Sequence, residues 1–266
     1  MAFCVKRTSK KSFQDPRSIA GLYAWYDATQ GLFNATAGGS AVTANNALVA
    51  RWEDMSGNAR HLTQSNSSLQ PALLTASRNS KNVLSFNGDF LVSTNNWGLG
   101  TNKVFVFYVA KWNSWNTASV NALFDWSGGN TVAGQFSAWN FQNAFSFRYH
   151  TNGFWETNSQ ISMNAFGTSW HLLSSMFPRN PSASFNYETY INKNLAATIV
   201  ASDNNIDFAS NRYFGIGDTI NDNGTPIGSF PGNFHIAELA IYITSNTLTT
   251  KNRQDMENYL SNKWAI

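Results

Sequence analysis

Residues with chemical potential are thinly spread along this chain of 266 residues. His61, His150, His171 and His235 show no metal-ligand spacing and no His-Glu-x-x-His helix, so each reads as a surface or half-buried strand residue. A Gly-x-Ser-x-Gly elbow for a serine nucleophile is missing. Gly215-Ile216-Gly217 lacks the helix and acidic partner of a nucleotide site and reads as a bend beside a strand. Glu53, Glu156, Glu188, Glu238 and Glu257 stand far apart, and the adjacent Glu53 and Asp54 would point to opposite faces of a strand. Carboxylate chemistry would therefore need a pair brought together from distant segments. Asp218-Thr219-Ile220-Asn221-Asp222-Asn223-Gly224 concentrates oxygen ligands in a loop that calcium would accept, with Asp218 and Asp222 as its ligands. The spacing is not that of an EF-hand, and Asx-rich loops also form because Asn and Asp hydrogen-bond their own backbone.

Sugar binding asks for exposed aromatic platforms beside amides and hydroxyls, because a ring face stacks on apolar C–H surface while side-chain dipoles take the hydroxyl groups. Trp112-Asn113-Ser114-Trp115-Asn116, Trp139-Asn140-Phe141-Gln142-Asn143 and Asn152-Gly153-Phe154-Trp155-Glu156 have that composition and read as segments between strands. Trp112, Trp115, Trp139 and Trp155 are the candidate platforms. The competing reading is that these indoles fill the concave sheet or close the core.

The elements that must position such residues are mostly strands. Charged residues make up only 12% of the chain and aromatics 15%, which fits a rigid all-β domain. The net charge of +3 is small, and several positive residues crowd into Lys6-Arg7-Thr8-Ser9-Lys10-Lys11. The body is then nearly neutral, without the basic stripe and interleaved aromatics that nucleic acid requires. No apolar run approaches the roughly 20 residues of a membrane-spanning helix. Met1-Ala2-Phe3-Cys4-Val5 runs straight into charge with no apolar h-region, so no signal peptide is recognisable. Cys4, the single cysteine, has no internal partner.

Residues 1–20 read as a basic arm, with Asp15-Pro16 breaking any helix before Ile19, and 21–266 as one domain. Gly21–Asp27, Val83–Phe86, Val104–Ala110, Trp170–Phe177, Phe185–Ile191, Leu195–Val200 and Tyr213–Ile216 are strand candidates separated by turn signals. Val104–Ala110 is apolar on both faces and should be a central strand covered on both sides. Asn87-Gly88 marks a tight turn. Thr249 can cap a closing helix whose Met256, Tyr259, Leu260 and Trp264 recur at helical spacing.

Trp52-x-Asp54-x-Ser56-Gly57-Asn58, Val83-x-Ser85-Phe86-Asn87-Gly88, Trp170-His171-Leu172-Leu173, Tyr190-Ile191-Asn192-Lys193 and Ile236-Ala237-Glu238-Leu239-Ala240-Ile241-Tyr242 come in an order that resembles the laminin G-like, concanavalin A-like lectin/glucanase superfamily. The resemblance spans about residues 20–266 and implies a jelly-roll sandwich of two antiparallel sheets, with the first and last of these stretches as its opening and closing strands. Relatives of this kind bind glycans or proteins, serve as structural modules or hydrolyse polysaccharides. The hydrolytic branch uses Glu-x-Asp-x-x-Glu, which no glutamate here can complete. In related modules the aspartate of the first motif organises a turn, and that role is carried over to Asp54. Glu238 is expected to satisfy a backbone or basic partner beside the final strand.

The expectation is thus an all-β, two-sheet antiparallel jelly-roll with a short C-terminal helix. Its function would be a non-enzymatic surface or assembly module of a phage or viral particle. Its arm (Lys6, Arg7, Lys10, Lys11) would dock on capsid or tail proteins, or the chain would act as an adhesin for cell-surface glycans, alone or as a homo-oligomer. No cofactor is required, calcium being a candidate ligand only, and neither nucleic acid nor membrane insertion is expected. The alternative is an extracellular carbohydrate-binding module or glycoside hydrolase of the same fold.

Overall fold

Runs of β-branched and aromatic residues bounded by Gly, Asn and Asp become strands in the computed structural model. It describes residues 15–98, 103–113, 121–127, 136–141, 144–151, 154–156, 160–162, 168–177, 185–201, 212–221, 225–226, 228 and 231–266. The backbone alone is described at 121, 127, 136–137, 139–141, 144–151, 154–156, 160–162, 185, 199 and 201. In chain order the strands begin with β1 (Leu22–Asp27), β2 (Leu32–Phe33), β3 (Arg51–Trp52), β4 (Leu62–Thr63), β5 (Ala72–Arg78) and β6 (Lys81–Asn87). They continue with β7 (Leu91–Ser93), β8 (Lys103–Trp112), β9 (Asn121–Ser127), β10 (Phe136–Phe141), β11 (Ala144–Thr151) and β12 (Phe154–Glu156). The last are β13 (Gln160–Ser162), β14 (His171–Phe177), β15 (Phe185–Ile191), β16 (Asn194–Ala201), β17 (Tyr213–Ile216) and β18 (Asn233–Thr244), followed by helix α1 (Thr250–Trp264).

Two antiparallel sheets result. One runs β16-β15-β14-β8-β18-β6-β5 with β1 added on β18; the other runs β12-β11-β10-β9-β17-β7-β4-β3-β2, with β13 on β11. Chain order and spatial order diverge because β18 returns to the middle of its sheet. On one side it pairs with β8 along its length, and on the other it is shared between β6 (Asn233–Ile236) and β1 (Glu238–Tyr242). The first and last strands are therefore bonded to one another. The predicted opening stretch is different: only Trp52 of it is strand, and Glu53–Asn58 is irregular, with a turn at Met55 and Ser56.

Strand β8 shows why its sequence is apolar on both faces. Val104, Val106, Tyr108, Ala110 and Trp112 face the second sheet, while Phe105, Phe107 and Val109 face the layer that contains α1. Period-two alternation serves two cores at once. The helix begins at Thr249, whose side chain accepts from Asn252 N while the Asn252 side chain accepts from Thr249 N. Met256, Leu260 and Trp264 bury its apolar stripe. At its far end Arg78 donates to the Trp264 and Ala265 carbonyls, and Asn79 to that of Lys263, so the β5–β6 hairpin supplies cationic and amide donors to the helix C-terminus. Asp15 to Ile19 of the expected arm are also packed down. Pro16–Ser18 forms a 3₁₀ turn capped by Asp15, Ile19 is buried, and the Pro16 carbonyl accepts from Tyr242 OH. The bend at Gly217 has φ +100°, and a Cβ there would meet the Asp89 carbonyl oxygen at 2.1 Å, so only glycine fits.

Candidate functional site

The sequence-derived site residues are scattered. Lys6, Arg7, Lys10, Lys11, Trp115 and Asp222 lie outside the described residues. Trp139 and Trp155 lie in strands β10 and β12 rather than between strands, and their side chains are likewise outside the description. Segments read as loops by composition are here strands at one end of the second sheet. Trp112 is a correction. It is the last residue of β8, its parity turns it towards the second sheet, and at 1% exposure its ring face has no room for a sugar. Asp218 is buried, its carboxylate accepting from Thr219 N at 2.7 Å and Gly228 N at 2.9 Å. Among the described residues no group of three or more His, Cys, Asp or Glu is placed to hold a metal.

The three histidine side chains that are described pack against or hydrogen-bond neighbours. His61 Nδ1 accepts from Asp54 N, and His171 is buried with its Nδ1 3.3 Å from the Asn192 amide. His235 stacks on Trp170, and burial, with Lys111 nearby, pushes its imidazole down to about 4, so it is uncharged at neutral pH. The side chain of His150 is outside the description.

A carboxylate pair from distant segments does exist. Asp27 and Glu238 are register partners across β1 and β18, and Lys263 Nζ bridges them at 2.6 and 2.8 Å. The bulge between Ile236 and Glu238 creates this arrangement. Uninterrupted alternation from Ile236 would turn Glu238 into the inter-sheet core, whereas the extra residue re-aims it at α1. Each oxygen is then occupied: Oε1 accepts from Trp25 Nε1 at 2.7 Å and Tyr259 OH at 2.9 Å, and Oε2 from Trp264 Nε1 at 2.7 Å as well as Lys263. Burial, then the Asp27 charge, raises the Glu238 carboxyl above its usual range, and Lys263 pulls it back. With Glu238 at 0% exposure and its oxygens saturated, the pair has no face to offer a substrate. Its position between strand and helix makes it a lock on α1, which agrees with the basic partner expected for Glu238.

One cleft does present open chemistry. Between the start of α1 and the outer faces of β14 and β15, Phe105, Met176 and Leu248 form an apolar floor under Asn186, Glu188, Tyr190, Thr250 and Arg253. Asn186, Glu188 and Tyr190 share that face because they alternate along β15. The Arg253 guanidinium lies 3.8 Å from the Tyr190 ring centre and is anchored by Glu257 at 2.6 Å. Burial, and the 2.6 Å hydrogen bond to Glu188, push the Tyr190 phenol up to about 12, so it remains a donor to that carboxylate at neutral pH. The volume is about 280 Å³, near the lower bound of roughly 300 Å³ for small-molecule sites. A wider hollow of about 390 Å³, lined by small and uncharged residues such as Val42, Thr43 and Leu48, offers no ionic group. Sequence reasoning missed the cleft, since Arg253 and Glu188 meet only when the helix docks; the alternation of Asn186, Glu188 and Tyr190 was its one visible sign.

Comparison with solved structures places the architecture among toxin binding domains. The receptor-binding domain of botulinum neurotoxin D superposes with a TM-score of 0.59 at 11% identity, over 92% of this chain and 53% of that one. The binding domain of botulinum neurotoxin DC in complex with SialylT gives 0.56 at 16% identity, over 79% and 48%. The same domain in complex with rat synaptotagmin II gives 0.56 at 18% identity, over 79% and 49%. The chain spans about half the length of these proteins, and at such identities the likeness is one of fold. No protein-family model matches the sequence, and no curated protein is similar to it.

Proposed function

We propose that this chain is a non-enzymatic binding module of laminin G-like, jelly-roll type, and that the cleft beside α1 takes a saccharide. The observation that carries this reading is the cleft itself: an apolar floor suits the C–H face of a sugar ring, and the carboxylate, guanidinium, amide and hydroxyl around it suit its hydroxyl groups. Its size admits one ring rather than an oligosaccharide. The absence of an enzymatic role is supported by the saturated Asp27–Glu238 pair and by the binding domains that share the fold. No cofactor enters this reading.

The test is a glycan array. Wild type is expected to retain at least one glycan, with Glu188→Ala weakening it about tenfold or more, as loss of a hydrogen bond to a charged group of roughly 1.5–3 kcal/mol implies. Parallel Trp139→Ala and Trp155→Ala variants read the alternative platforms. If no glycan binds, or only the tryptophan variants lose binding, the cleft is not the sugar site.

The particle-surface role rests on the basic arm. We propose that it docks the module on a capsid or tail protein at the surface of a virion. Because Asp15 to Ile19 are packed on the sandwich, the informative deletion is residues 1–14. It should abolish incorporation into particles while leaving Tm within about 2 °C, a stability change of under ~1 kcal/mol. Retained incorporation would remove the arm from assembly.

A further inference from the structure

Strand β16 ends its sheet, and among the described residues no strand pairs with its other side. From Asn194 to Ala201 it contains neither charge nor proline, the devices by which sheet edges usually avoid other strands. The opposite edge differs: β5 carries Arg78, an irregular register after Leu74, and a bridge from Leu48 to Ala72. Large exposed apolar side chains are rare in the described residues, namely Leu48, Leu195 and Val200, and two of the three are on β16, at 55% and 72% exposure. A bulge opposite Thr189 and Tyr190 puts these two on one face. Leu195, Thr198 and Val200 stand opposite Tyr190, Glu188 and Asn186, on the side away from the inter-sheet core.

We propose that β16 is a homodimer interface, pairing antiparallel with the β16 of a second copy about a two-fold axis perpendicular to the sheet. An isologous contact requires self-complementarity. An uncharged strand has it, because the axis brings no like charges together along residues 194–201. A register centred on residue 199 keeps the faces of both copies aligned and sets Thr198 against Val200 of the other copy on each side of the axis. These threonine–valine cross-strand pairs remove the most exposed large apolar side chain of the described residues from water. The bulge limits the flat part to residues 197–201, so the contact is small and the dimer is concentration-dependent. This edge adjoins the saccharide cleft, since Thr198 and Val200 stand beside Glu188 and Asn186, but the mass of the protein without glycan reads the dimer alone, so its failure would leave the saccharide reading untouched.

Sedimentation equilibrium of the full chain across a hundredfold concentration range is the test. The weight-average mass should climb from 29.5 kDa towards twice that value. Val200→Lys and, separately, Thr198→Lys should each hold it at the monomer mass with unchanged Tm, since both side chains are exposed. Leu48→Lys, an equally apolar-to-charged change away from the edge, should still dimerise. A wild type that stays monomeric, a dimer indifferent to Val200→Lys, equal loss in Leu48→Lys, or open-ended assemblies beyond the dimer would each overturn the proposal.

Discussion

Lys263→Met should lower the stability of the folded chain by about 3–5 kcal/mol at neutral pH, the usual consequence of removing one partner from a buried ion pair. For a chain of this size that corresponds to a fall in Tm of roughly 10 °C. The methionine fills much the same volume, so the loss reports charge rather than a cavity. Two carboxylates, Asp27 and Glu238, would remain side by side on neighbouring strands with no cation between them. The pH dependence follows from the direction of the Glu238 shift. Its carboxyl is raised in the fold by burial and by Asp27, so between the ordinary value of 4.5 and the raised one the folded state holds a proton that the unfolded chain has released. Stability attributable to this group is therefore highest at low pH and declines as pH rises through that window. Without Lys263 the window widens, and the gap between variant and wild type should narrow as pH falls towards 4.5. Urea midpoints at pH 4.5, 6 and 8 measure this; a gap that is constant with pH, or smaller than ~1 kcal/mol, would show that the lysine does not hold the pair.

The parts of this arrangement that were legible in the sequence are the local ones. Strands β8, β14, β15 and β17 begin and end within two residues of the expected bounds, because turn formers flank them and the signal needs only a handful of neighbouring residues. The Thr249 cap and the Met256, Leu260, Trp264 stripe likewise define α1 from within. What was not legible depends on parity and distance. Trp112 has the polar neighbours of a binding loop, yet whether an indole at a strand end faces water or the facing sheet is decided by one residue of register. The same holds for Glu238, whose orientation rests on a bulge that leaves no mark in its local pattern. Trp139 and Trp155 read as loop residues because each sits near Asn and Phe with no clean alternation of its own, whereas Phe145, Phe147 and Tyr149 alternate with polar residues along β11, the strand that pairs with both β10 and β12. Arg253 and Glu188, the charged groups of the cleft, become neighbours only through helix docking.

Asp54→Ala should be as damaging as loss of Lys263, at about 3–5 kcal/mol, although Asp54 belongs to a turn and contacts no cation. Its Oδ1 accepts from Trp25 N and Ser56 N, both at 2.9 Å, while Oδ2 accepts from Ser56 Oγ at 2.8 Å and Arg60 N at 3.0 Å. A bond to a charged acceptor contributes roughly 1.5–3 kcal/mol, and the buried Trp25 amide would be left with no partner. The consequence spreads because the turn clasps β1. Met55 N donates to the Trp25 carbonyl, Asn58 Nδ2 to those of Leu22 and Tyr23, and the Arg60 guanidinium lies 3.5 Å from the Tyr23 ring centre. Since β1 in turn pairs with β18, loosening Asp54 weakens the strand that joins the two ends of the domain. Asp54→Asn keeps one acceptor oxygen but turns an NH₂ towards the Ser56 and Arg60 donors, so it should lose about half as much as the alanine variant. Chemical denaturation gives the order of the two variants, and amide exchange at Trp25 locates the effect. Equal losses in Asn and Ala, or a protected Trp25 amide in Asp54→Ala, would mean that the turn holds β1 by packing rather than through this carboxylate.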